Sequence, residues 1–379
     1  MKVVFFSDDF PPYSFGGAGI STYELALGMK KAEHEVFVIT TCRKKSEAGE
    51  SEYHGLKVYK IASDYPSKWR SYVSLYNRSV VQKVEELLKR IKPDIVHINN
   101  IHFYLSYYCI KLAKVYSKAV VVTLRDAMSF SFGKLETKNY SEHFDAQLTW
   151  FDQFRQAKKR WNPFRNLLIK RYLGYANKLF AVSNALKKAL EQNGIKNVEV
   201  MHTGMDVSEY HRDHNEKNKK IIFFAGRLSG AKGARVVEEA MEIVKKEVPE
   251  AELVTAGSNG KWLNREEMKL AYAASAMVLV PSLYLDPFPR TVLEAMAAGR
   301  AVIGTCYGGA PEAILDGVTG YVVNPFDIKI MAEKVIDLLK NPKKAEEFGK
   351  AGFERVKTDF NMDVKISELL SCYQELIKK

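Results

Sequence analysis

The feature that most constrains the fold is a repeat of apolar run, loop and helix between residues 276 and 325. An apolar run at 276–280 enters a loop that holds Asp286 between two prolines, and the helix-forming segment TVLEAMAAG follows. Two more apolar runs, at 301–304 and 321–323, are separated by glycine-rich turns. Open α/β sheets bind ligands in the loops at the carboxyl ends of their parallel strands. The pattern therefore predicts an α/β domain with a binding site at these loops.

The loop before that helix has the chemistry of a phosphate site. Pro287 and Pro289 fix the backbone φ, and Pro289 suits the first position of the helix because a missing N–H costs nothing there. The N–H groups of Arg290 and Thr291 would then point out of the helix start, in a geometry suited to a phosphate.

Two carboxylates accompany this helix start. Asp286 lies in the loop, and Glu294 lies eight residues later, inside the helix. Their separation suits contacts to different parts of one extended, hydroxyl-rich ligand whose anionic centre lies between them. The alternative is that Asp286 only caps the loop and that Glu294 is a solvated helix residue.

The motifs of this stretch together resemble the signature of retaining glycosyltransferases of family four. The carboxylate pair corresponds to the family's E-x7-E element, and residues 308–312 (GGAPE) and 316–320 (DGVTG) correspond to its GG-x-PE and DG-x-TG elements. Asp286 stands where the family usually has the first glutamate, so we expect its role to survive with altered reach. The resemblance implies an α/β protein of GT-B architecture, in which two doubly wound, Rossmann-like domains face each other across a cleft.

The length and composition agree with two globular domains. The chain has 379 residues, more than one core usually serves, and its 46% hydrophobic and 27% charged residues are typical of a folded, soluble protein. The resemblance implies an acceptor-side domain over 1–203, a nucleotide-sugar domain over 204–360, and a final helix in 361–379 that packs back on the first domain. The polar segment 43–53 predicts a mobile loop. The segment 257–264 is shorter than in the family, so the sequence does not predict which nucleotide base the protein binds.

The second domain opens with a cation pair ahead of a helix. Gly226-Arg-Leu and Lys232-Gly match the family's G-R-L…K-G element, so the resemblance implies that Arg227 and Lys232 hold the donor diphosphate. A leaving diphosphate gains charge as the glycosidic bond breaks, and such a pair would stabilise it. The resemblance also implies that Asp286 holds the transferred sugar and Glu294 the ribose. The alternative for the pair is a surface arginine and lysine.

The first domain carries a glycine loop and a departure from the family pattern. Gly16 and Gly17 precede a predicted helix at 20–31, and the resemblance places them against the donor diphosphate; the alternative is an ordinary strand-to-helix turn. Arg125 and Asp126 follow the predicted strand 119–124, where the family commonly has His-Asp, so a guanidinium replaces the imidazole and could hold an anionic acceptor or donor phosphate. The predicted catalytic residues are Asp286, Arg227 and Lys232, and the predicted substrate-binding residues are Gly16, Gly17, Arg125, Asp126, Phe288, Pro289, Arg290, Thr291 and Glu294.

The predicted activity is transfer of a sugar from a nucleoside diphosphate sugar to a carbohydrate or lipid-linked acceptor hydroxyl, with retention, in the synthesis of polysaccharides, glycolipids or other glycoconjugates. A sugar-nucleotide epimerase and a binding protein that has lost transfer stay open as alternatives. We expect no cofactor and no metal, because the chain has no Asp-x-Asp pair near the diphosphate site and Asp8-Asp9 are adjacent and in the other domain.

Charge and cysteine usage bear on partners and location. The net charge of +12 favours an anionic partner, and residues 155–188 contain no acidic residue while cations alternate with bulky side chains up to 172. That composition suits an anionic membrane surface, and the alternative is a solvated basic helix. Nucleic acid is not expected, because no binding module frames the cluster. Four dispersed cysteines and the lack of a long apolar segment favour a cytoplasmic protein, with peripheral membrane association left open.

Overall fold

The computed structural model describes residues 1–14, 16–210, 220–226, 230–258 and 261–378. Its first half contains an eight-stranded sheet with the order β3-β4-β2-β1-β5-β6-β7-β8, in which every pair except β3–β4 is parallel. The strands are β1 (Lys2–Ser7), β2 (Glu35–Cys42), β3 (Gly49–Tyr53), β4 (Leu56–Ala62), β5 (Ile95–Asn100), β6 (Ala119–Leu124), β7 (Lys178–Ala181) and β8 (Val198–Val200).

Helices cover both faces of this sheet, as parallel strands require. They are α1 (Gly17–Lys31), α2 (Arg70–Val73), α3 (Arg78–Ile91), α4 (Tyr108–Tyr116), α5 (Lys138–His143), α6 (Trp150–Ala157), α7 (Arg165–Leu173) and α8 (Asn184–Gln192). The central strands are buried on both sides, and β6 (AVVVTL) has no exposed residue.

The prediction of a mobile loop at 43–53 is wrong. The segment forms a single 3₁₀ turn at Lys45–Glu47 and then β3, which pairs antiparallel with β4. His54 (φ 49°) and Gly55 (φ 75°) close the hairpin with two left-handed residues, as a tight two-residue turn requires. The strand was not predicted because it lies at the sheet edge and is largely exposed, so it carries no apolar alternation.

The second half contains a five-stranded, all-parallel sheet with the order β10-β9-β13-β14-β15. Its strands are β9 (Ile221–Phe224), β10 (Glu252–Thr255), β13 (Met277–Val280), β14 (Ala301–Thr305) and β15 (Gly320–Val323), and a separate short ribbon is formed by β11 (Gly257–Ser258) and β12 (Lys261–Trp262). The helices are α9 (Ala234–Glu247), α10 (Arg265–Ala274), α11 (Arg290–Ala297), α12 (Ala310–Ala313), α13 (Ile328–Lys340), α14 (Pro342–Asp359) and α15 (Met362–Lys378).

The last helix, α15, returns to the first sheet. The chain crosses at two adjacent backbone bonds, Met205 N–H to Phe360 O (2.7 Å) and Met362 N–H to Met205 O (3.2 Å). Where α15 packs on the first sheet, the hydroxyl of Tyr373 lies 2.5 Å from Nδ1 of His97 on β5. Burial lowers the pKa of His97 to about 3, so this histidine is a neutral structural residue. No helix of the described ranges is long and apolar enough to cross a membrane.

Candidate active site

A cavity of about 410 Å³ lies between the two halves, where loops at the carboxyl ends of both sheets meet. Nine of the twelve predicted site residues line it: Gly16, Gly17, Arg125, Lys232, Asp286, Phe288, Pro289, Arg290 and Thr291. Asp126 and Glu294 do not line it, and Arg227 lies outside the described residues. The structure therefore brings together residues from four separate segments of the chain.

An ion pair forms the second-domain wall of this cavity. Asp286 is buried in the loop between β13 and α11, and its Oδ2 accepts hydrogen bonds from Lys232 Nζ (2.5 Å) and Ser282 Oγ (2.9 Å). Burial lowers the pKa of Lys232, but the charge of Asp286 and the adjacent Tyr284 outweigh it and raise that pKa above its ordinary value. Lys232 is therefore a fixed cation at the cavity surface at neutral pH.

The glycine pair of the GGAPE segment supports the Asp286 loop. Gly309 N–H donates to the backbone oxygen of Asp286 (2.9 Å), and Gly308 has φ 69°. A Cβ atom at either glycine would collide with the backbone of Asp286 or Pro287. The close approach of two loops explains why glycines stand here, and it fixes the position of the Asp286 carboxylate.

The helix start beside this loop differs by one residue from its prediction. Pro289 is the N-cap of α11, and Arg290 is its first helical residue. The first backbone bond of the turn joins Val292 N–H to Pro289 O (3.0 Å), so the N–H groups of Arg290 and Thr291 precede it. Both residues line the cavity, and an anion placed there would face the positive end of the helix.

The Arg290 side chain joins the two halves of the molecule. Its Nη1 and Nη2 donate to the two carboxylate oxygens of Glu24 on α1 (2.7 and 2.6 Å), and its Nε donates to Glu294 Oε1 (2.8 Å). Tyr272 donates its hydroxyl to the other oxygen of Glu294 (2.9 Å). Since both oxygens of Glu294 have protein partners and the residue does not line the cavity, its contact with a ribose stays a prediction.

The first-domain wall includes the start of α1 and the residue after β6, together with Lys134, Val182 and Thr203. Gly17 lies so close to Arg290 that a Cβ atom would be 3.6 Å from its Cδ. Arg125 donates from Nε to Asn99 Oδ1 (3.0 Å) and from Nη1 to Thr203 Oγ1 (3.3 Å). Burial, and then the charge of Arg290, lower the pKa of Arg125 to about 10, which leaves it protonated at neutral pH.

Asp126 does not line the cavity, so its contact with a substrate stays a prediction. Its side chain caps the turn at Ala127–Ser129 by accepting from Met128 N–H (2.8 Å), and it lies 3.2 Å from His102 Nδ1. The residue after a strand is a frequent capping position, and this local use of the carboxylate accounts for its orientation.

Several residues of the site are not predicted from the sequence. Ser282 holds Asp286, and the Tyr284 ring lies under both Lys134 and Lys232, whose ammonium groups are 4.7 and 5.3 Å from its centroid. Glu24 was also missed, although a carboxylate on the buried side of α1 was a usable signal because buried acids require a partner.

A second contact between the halves uses Glu312 of the GGAPE segment. Its carboxylate accepts from the N–H groups of Asn184 (2.8 Å) and Ala185 (2.9 Å) at the start of α8, and from His202 Nε2 (2.9 Å). Burial raises the pKa of Glu312, but these donors outweigh it and lower the pKa below its ordinary value. Glu312 is therefore a charged link from the second domain to the first. Within the described part of the chain, no group of three or more His, Cys, Asp or Glu side chains is placed to hold a metal ion.

Two family models match the chain. The model described as Glycosyltransferase Family 4 matches residues 15–209, more than half of the chain, and the model described as Glycosyl transferases group 1 matches residues 260–355. The chain belongs to glycosyltransferase family 4. The family predicted from the E-x7-E-like, GG-x-PE and DG-x-TG motifs is thus confirmed, and with it the expectation of a glycosyltransferase of the retaining type.

Two relatives of this family 4 glycosyltransferase are distant in sequence. It is 22% identical to glycogen synthase of Mycobacterium tuberculosis, over 95% of this chain and 91% of that protein. It is 28% identical to spore coat protein SA of Bacillus subtilis, over 46% of this chain and 58% of that protein's length.

Solved structures show the same fold at low sequence identity. Sucrose-phosphate synthase from Thermosynechococcus elongatus aligns with a TM-score of 0.77 at 17% identity, covering 100% of this chain and 99% of that one. Anabaena HepE, solved in complex with UDP and glucose, aligns with a TM-score of 0.67 at 16% identity, covering 99% and 100%. The predicted GT-B architecture is therefore confirmed.

Proposed function

We propose that the protein transfers a hexose-type sugar from a nucleoside diphosphate sugar to an acceptor hydroxyl, with retention at the anomeric carbon. The observation that carries this proposal is the cavity in which the Lys232–Asp286 pair and the start of α11 face the glycine loop and Arg125 of the other domain. The lysine and the helix start suit a diphosphate, and the neighbouring carboxylate suits the hydroxyls of a sugar attached to that diphosphate. HepE, which shares the fold, was solved with UDP and glucose bound.

Each group has a part in the proposed reaction. Lys232, with the N–H groups near Arg290 and Thr291, stabilises the diphosphate as it gains charge, and Arg227 is expected to join it. Asp286 holds hydroxyls of the transferred sugar and orients it. No protein nucleophile is assigned, and the departing phosphate accepts the proton of the acceptor. Closure of the two domains excludes water and limits hydrolysis of the donor.

The experiment that tests this function begins with a thermal-shift panel of UDP, GDP and ADP and their sugars. A ligand at a hundred times its dissociation constant stabilises the protein by about 2.7 kcal/mol. We expect one base to stabilise, and the corresponding sugar nucleotide to give product only when an acceptor is present. Isomerised donor without acceptor would identify an epimerase, and nucleotide binding without any turnover would identify a binding protein.

We also propose that the first domain lies on an anionic membrane surface, which would suit a lipid-linked acceptor. Large apolar side chains at the start of α6 and at the start of α7 are exposed: Trp150 is 64% exposed, Phe164 66% and Leu167 67%. Lys158 and Lys159 are exposed beside them. Aromatic side chains next to cations are the composition that binds headgroups of an acidic bilayer. With no anionic partner the same surface would remain solvated.

A further inference from the structure

The cations that line the cavity differ in how their charge is balanced. Lys232 is paired with Asp286, and Arg290 is paired with both Glu24 and Glu294. These two cations are therefore compensated by carboxylates of the protein before any ligand binds. Part of their attraction for an incoming anion is offset by the carboxylates that already hold them.

Arg125 is in a different situation. Its two hydrogen bonds go to neutral groups, the amide oxygen of Asn99 and the hydroxyl of Thr203. Among the described residues, no carboxylate forms an ion pair with it, and the side chain is partly exposed at the cavity wall. The charge of Glu24 acts on Arg125 without a direct contact. A guanidinium that is partly removed from water with no carboxylate in contact is costly, and an anionic ligand would offset that cost.

The position of Arg125 indicates which anionic group of a ligand it would contact. Thr203 contacts Arg125, and Met205, two residues later, has its Sδ 3.6 Å from Nη2 of Arg290, the first residue of α11. Gly17 at the start of α1 lies against the same Arg290 side chain. Arg125 is thus next to the place where two helix starts converge, and both starts favour a phosphate.

We infer that Arg125 contacts the sugar-bearing phosphate of the donor from the first domain and stabilises the charge that this phosphate gains during transfer. The inference rests on the proposed function. In that step the bond between the anomeric carbon and the diphosphate oxygen breaks, and the oxygen keeps the electron pair. The acceptor oxygen forms the new bond, and its proton passes to the departing diphosphate. Arg125 donates N–H groups throughout and stays protonated.

This assignment couples the chemistry to domain closure. Lys232 and the start of α11 belong to the second domain, whereas Arg125 belongs to the first. The diphosphate meets the complete set of cations only when both walls are in contact with it. An open enzyme that has bound donor therefore lacks one charge contact to the leaving group, which protects the donor from hydrolysis before an acceptor is enclosed.

The test compares a nucleoside diphosphate with its monophosphate by titration calorimetry at pH 8. The base is the one that binds unmodified protein in a panel of UDP, GDP and ADP. We expect Arg125→Gln to weaken diphosphate binding about ten- to a hundredfold and to change monophosphate binding less than about threefold. Arg125→Lys should recover part of the loss, because it keeps the charge without the planar fork. Arg78→Gln, at an exposed arginine of the same domain, is the matched control and should change neither.

Several outcomes separate the possibilities. Diphosphate binding to Arg125→Gln that equals the wild type would overturn the inference and assign Arg125 to the sugar or the acceptor. An equal loss for both nucleotides would also overturn it, as a structural effect. If Arg125→Gln does not fold, Arg125→His is measured instead; its imidazole is mostly neutral at pH 8, and the same selective loss is expected. If no nucleoside diphosphate binds even unmodified protein, the proposed function itself is contradicted.

Discussion

The two walls of the cavity are built differently. The second-domain wall holds Lys232 with its own Asp286 and holds Arg290 with its own Glu294 and with Glu24 of the first domain. Its motifs are local in sequence. The first-domain wall presents Arg125 on neutral partners, at a position where the chain departs from its family. The difference indicates that the second-domain wall, which we call the donor wall, is preorganised before ligand binds. The first-domain wall depends on the ligand and on domain closure to balance the charge of Arg125.

The largest expected effect comes from removing the fixed cation of the donor wall. Lys232→Ala should lower kcat about thirty- to a thousandfold, because one charge-assisted contact to the developing anion contributes about 2 to 4 kcal/mol. The donor KM should change much less, since the contact strengthens in the transition state. Steady-state kinetics with Lys269→Ala as a second lysine variant outside the cavity provide the check. A change in KM alone would remove Lys232 from the catalytic role.

Variants of Asp286 and Glu294 should have different kinetic effects. Asp286→Asn should chiefly lower kcat, because we propose that this side chain holds the transferred sugar, whereas Glu294→Gln should chiefly raise the donor KM, because its predicted contact is with the ribose, which does not react. We expect about tenfold in each case, by analogy with the loss of one hydrogen bond to a charged group. Equal and small effects on both parameters would contradict the assignment.

The contact between the walls gives a smaller effect. Glu24→Gln removes the charge of the carboxylate that accepts hydrogen bonds from both terminal nitrogens of Arg290, so the closed arrangement of the two domains should be less stable. We expect kcat to fall about three- to tenfold and the fraction of donor lost to hydrolysis to rise, because water enters an incompletely closed site. The measurement is the ratio of free sugar to transferred product. A lower kcat with an unchanged ratio would show that the ion pair does not control closure.

The smallest expected effect concerns the binding of the first domain to an anionic membrane. Reversing Lys158, Lys159 and Arg160 together should weaken flotation with anionic liposomes at low salt, and salt should weaken the wild type in the same way. The matched control reverses Lys245, Lys246 and Lys343, which are exposed on the other domain. Flotation that is absent in the wild type, or equal in both triple variants, would contradict membrane binding and favour the alternative interpretation, a solvated basic helix.

The sequence predicted the donor wall better than the contacts between walls, for a physical reason. The loop around Asp286 and the helix α11 are set by local signals, namely prolines, glycines and an apolar strand, and the structure differs only by placing Pro289 at the N-cap. The Glu24–Arg290 contact joins residues 266 positions apart, and no local pattern encodes it. Asp126 was assigned from a family position, but its carboxylate is used by the turn that follows it.

We propose that fixed cations of the protein, and no metal ion, stabilise the leaving diphosphate. This proposal is tested most directly by measuring transfer with the identified donor and acceptor in excess EDTA, with and without added manganese. We expect full activity in EDTA and no gain from manganese, because Lys232, Arg125 and the N–H groups at the start of α11 supply the stabilising charge. Loss of transfer in EDTA and recovery with manganese would contradict it.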